Sequence, residues 1–131
     1  MGKNKFITEF EINASQKMLF PYLSTASGLA QWFADDVNIN EDKVYIFLWD
    51  GEEHRAKKAS QRTNISVKFE FLPETEEDEE DPNYIELKLN VNELTQSVFI
   101  QITDYSDLDD PEEQQDLWEN LVYSLKEILG A

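Results

Sequence analysis

The segment DDPEEQQDLWENLVYSLKEIL, residues 109–129, constrains the fold more than any other part of the chain. Asp110 stands at a helix-capping position, Pro111 at the first helical position and Glu113 three residues after the cap. A side-chain oxygen at the cap, an N–H missing where none is needed and negative charge near the positive end of the helix dipole all favour initiation here. Leu117, Trp118, Leu121, Val122, Leu125, Ile128 and Leu129 then form one broad apolar stripe, and Gly130 supplies the stop. Such a helix spans about 28 Å at ~1.5 Å per residue. That is long enough to cross a whole β-sheet, and the stripe needs an apolar surface to cover.

The rest of the chain supplies that surface. KFITEFEI, residues 5–12, alternates with a period of two and places Phe6, Thr8, Phe10 and Ile12 on one face. NASQ then offers Asn13 or Ser15 as a helix cap, and KMLFPYL carries Met18, Leu19, Tyr22 and Leu23 at helical spacing. Pro21 lacks an N–H and is expected to interrupt or kink this helix. STASGLAQWF restarts with a Ser or Thr cap, giving two short helices with a bend between them.

Strands follow. DVNIN is short. KVYIFLW is apolar on both faces, and DGEEH marks a tight turn. HRAKKAS reads as a polar strand near a sheet edge. NISVKFEFL sets Ile65, Val67, Phe69 and Phe71 against Ser66, Lys68 and Glu70, and YIELKLNV and ELTQSVFIQIT alternate likewise. The reading is an α+β chain of one domain over residues 1–131. Its order is strand, two short helices, about six antiparallel strands and a long closing helix that covers the apolar face.

Composition narrows the function. The chain has 131 residues, 28 acidic and 11 basic, for a net charge of −17. That charge repels phosphate backbones and anionic lipid surfaces, so nucleic acid and membrane insertion are not expected. There is no cysteine and a single histidine. Thiolate metal sites, disulfides and thiol nucleophiles are therefore excluded. No apolar run is long enough for a membrane span, and the first residues lack a signal-peptide core, so a cytoplasmic protein is expected.

Candidate sites each have a plain structural explanation beside the functional one. The run ETEEDEED, residues 74–81, has acidic groups a cation would favour. It lacks EF-hand spacing, and it reads as a solvated hairpin loop kept extended by self-repulsion. In DYSDLDDPEE, capping accounts for Asp110 and Glu113 and leaves Asp107 and Asp109 as turn residues, so no metal is assigned. His54 has no nucleophile beside it in sequence and reads as an exposed strand residue. No catalytic residue and no cofactor are assigned.

Arg55, Lys57, Lys58 and Arg62 form the one basic patch, either pairing across strands or docking an acidic partner. Thr8 is a polar group among apolar neighbours, as found in ligand cavities and in ordinary cores alike. Strand 44–49 has one face more than the helix can cover; the short helices, another chain or nothing covers the other, and a homodimer or a protein partner is the expectation.

INASQKMLFPYLSTASGLAQWFADDVN resembles the N-terminal segment of START-like domains of the SRPBCC superfamily. More narrowly, it is similar to homologues of the heat-shock-protein-90 ATPase activator. Ile12, Ala14, Ser15, Leu19, Trp32 and Phe33 fill the positions that carry the resemblance, and LWENLVYSLKEIL matches the closing helix. The resemblance implies a helix-grip fold, an antiparallel sheet wrapped around the last helix, often with a cavity for an apolar ligand. Trp32 and Phe33 then plug one end of the space between helix and sheet, while Asp35 and Asp36 end the helix and return the chain to water. The expected function is non-enzymatic binding of a small hydrophobic molecule. The candidate lining is Thr8, Phe10, Trp32, Phe33, Phe69, Ile100, Trp118, Leu121 and Leu125. The alternative is a protein-interaction or cochaperone-like module using the basic patch or the spare face of strand 44–49.

Overall fold

The computed structural model describes residues 2–131. Seven strands form one sheet in the order β1-β7-β6-β5-β4-β3-β2, every neighbouring pair antiparallel. β1 (Asn4–Ile12) lies at one edge and pairs with β7 (Val98–Ser106). The chain then crosses to the far edge through α1 (Gln16–Ser24) and α2 (Ala26–Leu29). From there β2 (Asp36–Ile39), β3 (Tyr45–Trp49), β4 (Glu52–Arg62), β5 (Ser66–Phe71) and β6 (Tyr84–Val91) return by successive hairpins. A short α3 (Glu76–Glu80) sits in the β5–β6 connection, and α4 (Pro111–Leu129) closes the molecule. This is the α+β helix-grip architecture.

The core forms where the alternating strand faces meet α4. Ile12, Phe47, Val67, Phe69, Leu87, Ile100 and Ile102 are buried from the sheet, and Trp118, Val122 and Leu125 from the helix. The buried helix stripe is narrower than the sequence pattern suggests. Leu117 and Ile128 are exposed, while Gln114, polar and outside the apolar pattern, is buried. The caps are those the sequence specifies. Asp110 accepts from the Glu113 amide at 3.2 Å, and Gly130 adopts φ 70°, a left-handed conformation that costs glycine little.

Three expectations are corrected. Pro21 does not interrupt the first helix; α1 runs through it and stops at Thr25. There the Thr25 amide and hydroxyl both donate to the Pro21 carbonyl, at 3.2 and 2.7 Å. Gly28 then packs so closely on α1 that a β-carbon would lie 2.2 Å from the Pro21 oxygen. β4, expected near an edge, lies two strands in from the β2 edge, between β5 and β3, with only small Ala56 fully buried beneath it and long polar side chains projecting from its other face. The acidic run is not extended either, since Thr75 caps α3 by accepting from the Asp78 amide at 3.2 Å. Lys3 holds this helix to the start of the chain, donating to the Asp78 carboxylate at 2.6 Å and to the Asp81 carbonyl.

Between β4 and β5 the register shifts from Lys58 to Ser60. A bulge of this kind bends and twists a sheet, which helps it curve around a helix.

Candidate functional site

Trp32 and Phe33 end the helical segment and fix its geometry. Trp32 Nε1 donates to the Tyr22 carbonyl at 2.8 Å, tying the end of the segment back to α1. Phe33 points the other way. Its ring meets Phe47 and Trp49 edge-on, both at 5.3 Å between centroids, and stacks on Trp118 at 5.8 Å. Edge-to-face and offset pairs of this spacing are favourable beyond simple burial. The Phe33 carbonyl accepts from Trp49 Nε1 at 2.7 Å. Asp35 accepts from the Asp50 amide at 3.0 Å and so braces the β3–β4 turn; Asp36 accepts from its neighbour's amide, Val37, at 2.9 Å.

This cluster bounds a cavity of about 360 Å³ between α4 and the sheet. Phe33 forms its inner wall. The β3–β5 side supplies Trp49, His54 and Phe71, β6 and β7 supply Ile85, Asp104 and Ser106, and α4 supplies Trp118 and Leu121. Leu108, from the β7–α4 loop, and Leu117 line the same cavity yet are 53% and 48% exposed, so the mouth lies between them. A mainly apolar wall with a few inset polar groups is the usual make-up of a small-molecule site, and the volume is at the small end of the ~300–1,000 Å³ such sites occupy.

Asp104 is the inset group of most chemical interest. It faces inward between Phe6 of β1 and Ile85 of β6 and is only 7% exposed. Its Oδ2 accepts from Trp118 Nε1 at 3.2 Å and from Gln114 Nε2 at 3.4 Å. Burial pushes its carboxyl above the ordinary carboxylate range, and the hydrogen bonds from Trp118, Gln114 and Ser106 only partly oppose this. Asn83, on the same wall, has a buried side-chain oxygen without a hydrogen-bond partner. Tyr105 donates to Asp81 at 2.6 Å, which anchors the β7 end of the cavity to the acidic connection and raises the phenol above its ordinary value.

The residues singled out in the sequence fall in several places. Phe33, Trp118 and Leu121 line the cavity. Phe69, Ile100 and Leu125 are fully buried core residues deeper in the sheet–helix interface, and Trp32 is buried on the α1 side. Phe10 is partly buried at the β1 edge of the core, and Thr8 donates to Gln115 of α4 at 2.8 Å. His54 is half-buried rather than exposed. It stacks obliquely on Trp49 at 5.2 Å, lies 3.9 Å from Glu52 and lines the cavity.

The basic residues separate. Arg55, Lys57 and Arg62 point away from α4, opposite Ile46, Glu70 and Ser66, and the bulge explains how Lys57 and Arg62 share a face. Lys58 turns inward, donating to the Ser24 carbonyl at 2.9 Å and to Gln61 at 2.6 Å. Asp104 and Asn83 carried no signal in the sequence, because an Asp inside an alternating strand and an Asn before a strand read as turn-proximal polar residues.

Among the described residues no cluster of His, Asp and Glu is arranged to hold a metal ion. No helix among them is long and apolar enough to cross a membrane.

The START-like superfamily domain matches the chain over residues 1–131. A protein of Bacteroides fragilis, BfR322, whose solution structure is known, is 34% identical; the similarity covers 98% of this chain and 93% of that one, with a TM-score of 0.63. The Aha1 dimer from Colwellia psychrerythraea shares the fold at a TM-score of 0.73 and 19% identity, over 94% of this chain and 93% of that one. ChR145 from Cytophaga hutchinsonii does so at 0.72 and 14%, over 99% and 96%. No curated protein matches the chain.

Proposed function

The chain belongs to the START-like superfamily, and from that premise we propose that it is a non-enzymatic binding protein that holds one small hydrophobic molecule between α4 and the sheet. The observation that carries this reading is the cavity of about 360 Å³ whose walls are largely aromatic and aliphatic and whose mouth is framed by half-exposed Leu108 and Leu117. Phe33, Trp49, Trp118 and Leu121 supply the apolar contact, and Asp104 and Asn83 the few polar points that orient the guest. His54 and Asp104 both line the space and the Ser106 hydroxyl is turned to Asp104, but among the described residues His54 makes no hydrogen bond to a hydroxyl, the pairing acyl transfer needs.

The test is binding of the neutral dye N-phenyl-1-naphthylamine, together with native mass spectrometry of the purified protein. The reading expects saturable dye binding that Leu121→Trp, which fills the cavity, weakens by about tenfold, the loss of roughly 1.4 kcal/mol of contact. Absence of both saturable dye binding and any retained molecule would remove it.

A second reading, a protein-interaction module, draws on the outer face of the sheet. Arg55, Lys57 and Arg62 lie there beside half-buried Ile46 and Leu48. One protein of the same fold is described as a dimer. If this face docks a second copy or an acidic partner, changing the three cations to Glu shifts the oligomeric state or the partner set; unchanged behaviour in both sinks the face as a docking site.

A further inference from the structure

We propose that the cavity selects apolar molecules that carry a hydrogen-bond donor, a hydroxyl or an amine, over apolar anions such as fatty carboxylates. This rests on the cavity being a binding site, as argued above, and adds the polarity of the guest.

The wall carries both kinds of polar group: Asp50, Asn83 and Asp104 bring acceptor oxygens, while of the donors Trp118 and Ser106 are turned to Asp104 and Tyr105 to Asp81, and His54, Tyr84 and the Asn83 amide bring donors as well. Asp104 presents a carboxyl that is 7% exposed. Three side-chain donors, Trp118 Nε1, Gln114 Nε2 and the Ser106 hydroxyl, are already directed to it. They stabilise the carboxyl and are not free for a guest. Asn83, which lines both this cavity and the smaller recess beside it, has a buried side-chain oxygen without a hydrogen-bond partner. Asp50 contributes a third acceptor-bearing side chain to the lining.

Cations are missing from the same wall. Among the described residues, no Lys or Arg lines the cavity. Arg55 lines a separate recess of about 80 Å³ beyond His54 and Phe71, and its guanidinium is 3.6 Å from Glu53. His54 is the one lining group able to become cationic, and Glu52 lies within 3.9 Å of it. Around the mouth, Leu108 and Leu117 are interspersed with Asp109, Asp110 and Glu113.

A carboxylate guest would thus leave water without a fixed cation to receive it and would meet carboxyl oxygens at the wall. Burying a charge without a partner is strongly unfavourable, and like charges add to the cost. A hydroxyl or amine guest has the opposite balance: its donor meets the Asp104 carboxyl at the wall as a partner and is not repelled by it. The remainder of the guest meets Phe33, Trp49, Trp118 and Leu121 in either case, so the head group alone decides.

Three probes with one chain isolate that head group: 1-decanol, decylamine and decanoate, each displacing N-phenyl-1-naphthylamine from the full chain near neutral pH. Because a net charge of −17 also repels anions at a distance, the series is run at low salt and again in roughly 0.5 M NaCl, where the screening length falls to a few ångströms. The expected result is that decanol and decylamine displace the dye at concentrations at least about tenfold below decanoate, with the gap persisting in high salt. Asp104→Asn keeps an acceptor for Trp118 and for a hydroxyl but removes the carboxyl. It is expected to weaken decylamine about tenfold and to leave decanol within about threefold. Decanoate equal to or ahead of decanol in high salt overturns the selectivity while leaving the cavity as a binding site. A dye that does not bind at all removes the cavity reading and this inference with it. If Asp104→Asn fails to fold, the comparison of the three probes on the unaltered chain still decides.

Discussion

Phe33 answers for much of the architecture, since one ring touches the β3 aromatics, α4 and the cavity wall. Its neighbour Trp32 does a different job, locking the short helices together through Tyr22. Gly28 matters in the same place. A methyl there would press into the Pro21 carbonyl and the Tyr22 Cα, which are backbone atoms with little room to give. Gly28→Ala is expected to lower unfolding free energy by about 1–3 kcal/mol, read as a shift in urea midpoint; an unchanged midpoint would mean that α1 and α2 are not packed as described.

Asp104 makes a second residue-scale prediction. Burial raises its carboxyl above the ordinary value, so the native state binds the proton more tightly than the unfolded chain does. The stability this contributes is fully present below the usual carboxylate range near ~3.9 and is lost as pH rises through the raised native value. Asp104→Asn has no such dependence. The stability difference, variant minus unaltered chain, should therefore grow from about pH 4 upward. A difference that is flat or shrinks over that window contradicts the placement of Asp104 among Trp118, Gln114, Phe6 and Ile85.

At the scale of elements, α4 carries its instructions locally. Asp110 caps it, and Gly130 ends it in a left-handed turn. Asp110→Ala and Gly130→Ala should each cost about 1 kcal/mol. Their sites are at opposite ends of 19 residues, so the double variant should show nearly the sum; a clear shortfall would mean that one end of α4 frays in the native state. The same locality explains what was legible. The alternation of β5, β6 and β7, the Asp50–Gly51 turn, the Ser15 and Thr25 caps and the closing helix all follow from periods and caps within a few residues. The misread elements depend on distant partners. α3 stands in an acidic run because Lys3, more than seventy residues away in sequence, ties it down. β4 sits inside the sheet because its neighbours cover Ala56, which its own polar sequence does not reveal. The end of α1 is decided by the Thr25 hydroxyl reaching the Pro21 carbonyl rather than by the proline alone.

For the molecule as a whole, the cavity is a product of topology. β1 and β2 occupy opposite edges, so the α1–α2 crossover must span the sheet, and Phe33 arrives against α4 at the end of that crossover. Of the expected lining, Phe33, Trp118 and Leu121 fall on the candidate cavity, while the same inward-pointing signal in Phe69, Ile100 and Leu125 belongs to the plain core. The polar half of the site was not legible. Asp104, Asn83 and His54 come together only once β4, β6 and β7 are aligned. The most direct test is a backbone-amide NMR titration of the chain with 1-decanol. Saturable shifts concentrated at Phe33, Trp49, Ser106, Trp118 and Leu121, with the α1 face and the outer side of the sheet unmoved, are predicted; no saturable shifts, or shifts spread over the surface, would contradict an apolar guest held between α4 and the sheet.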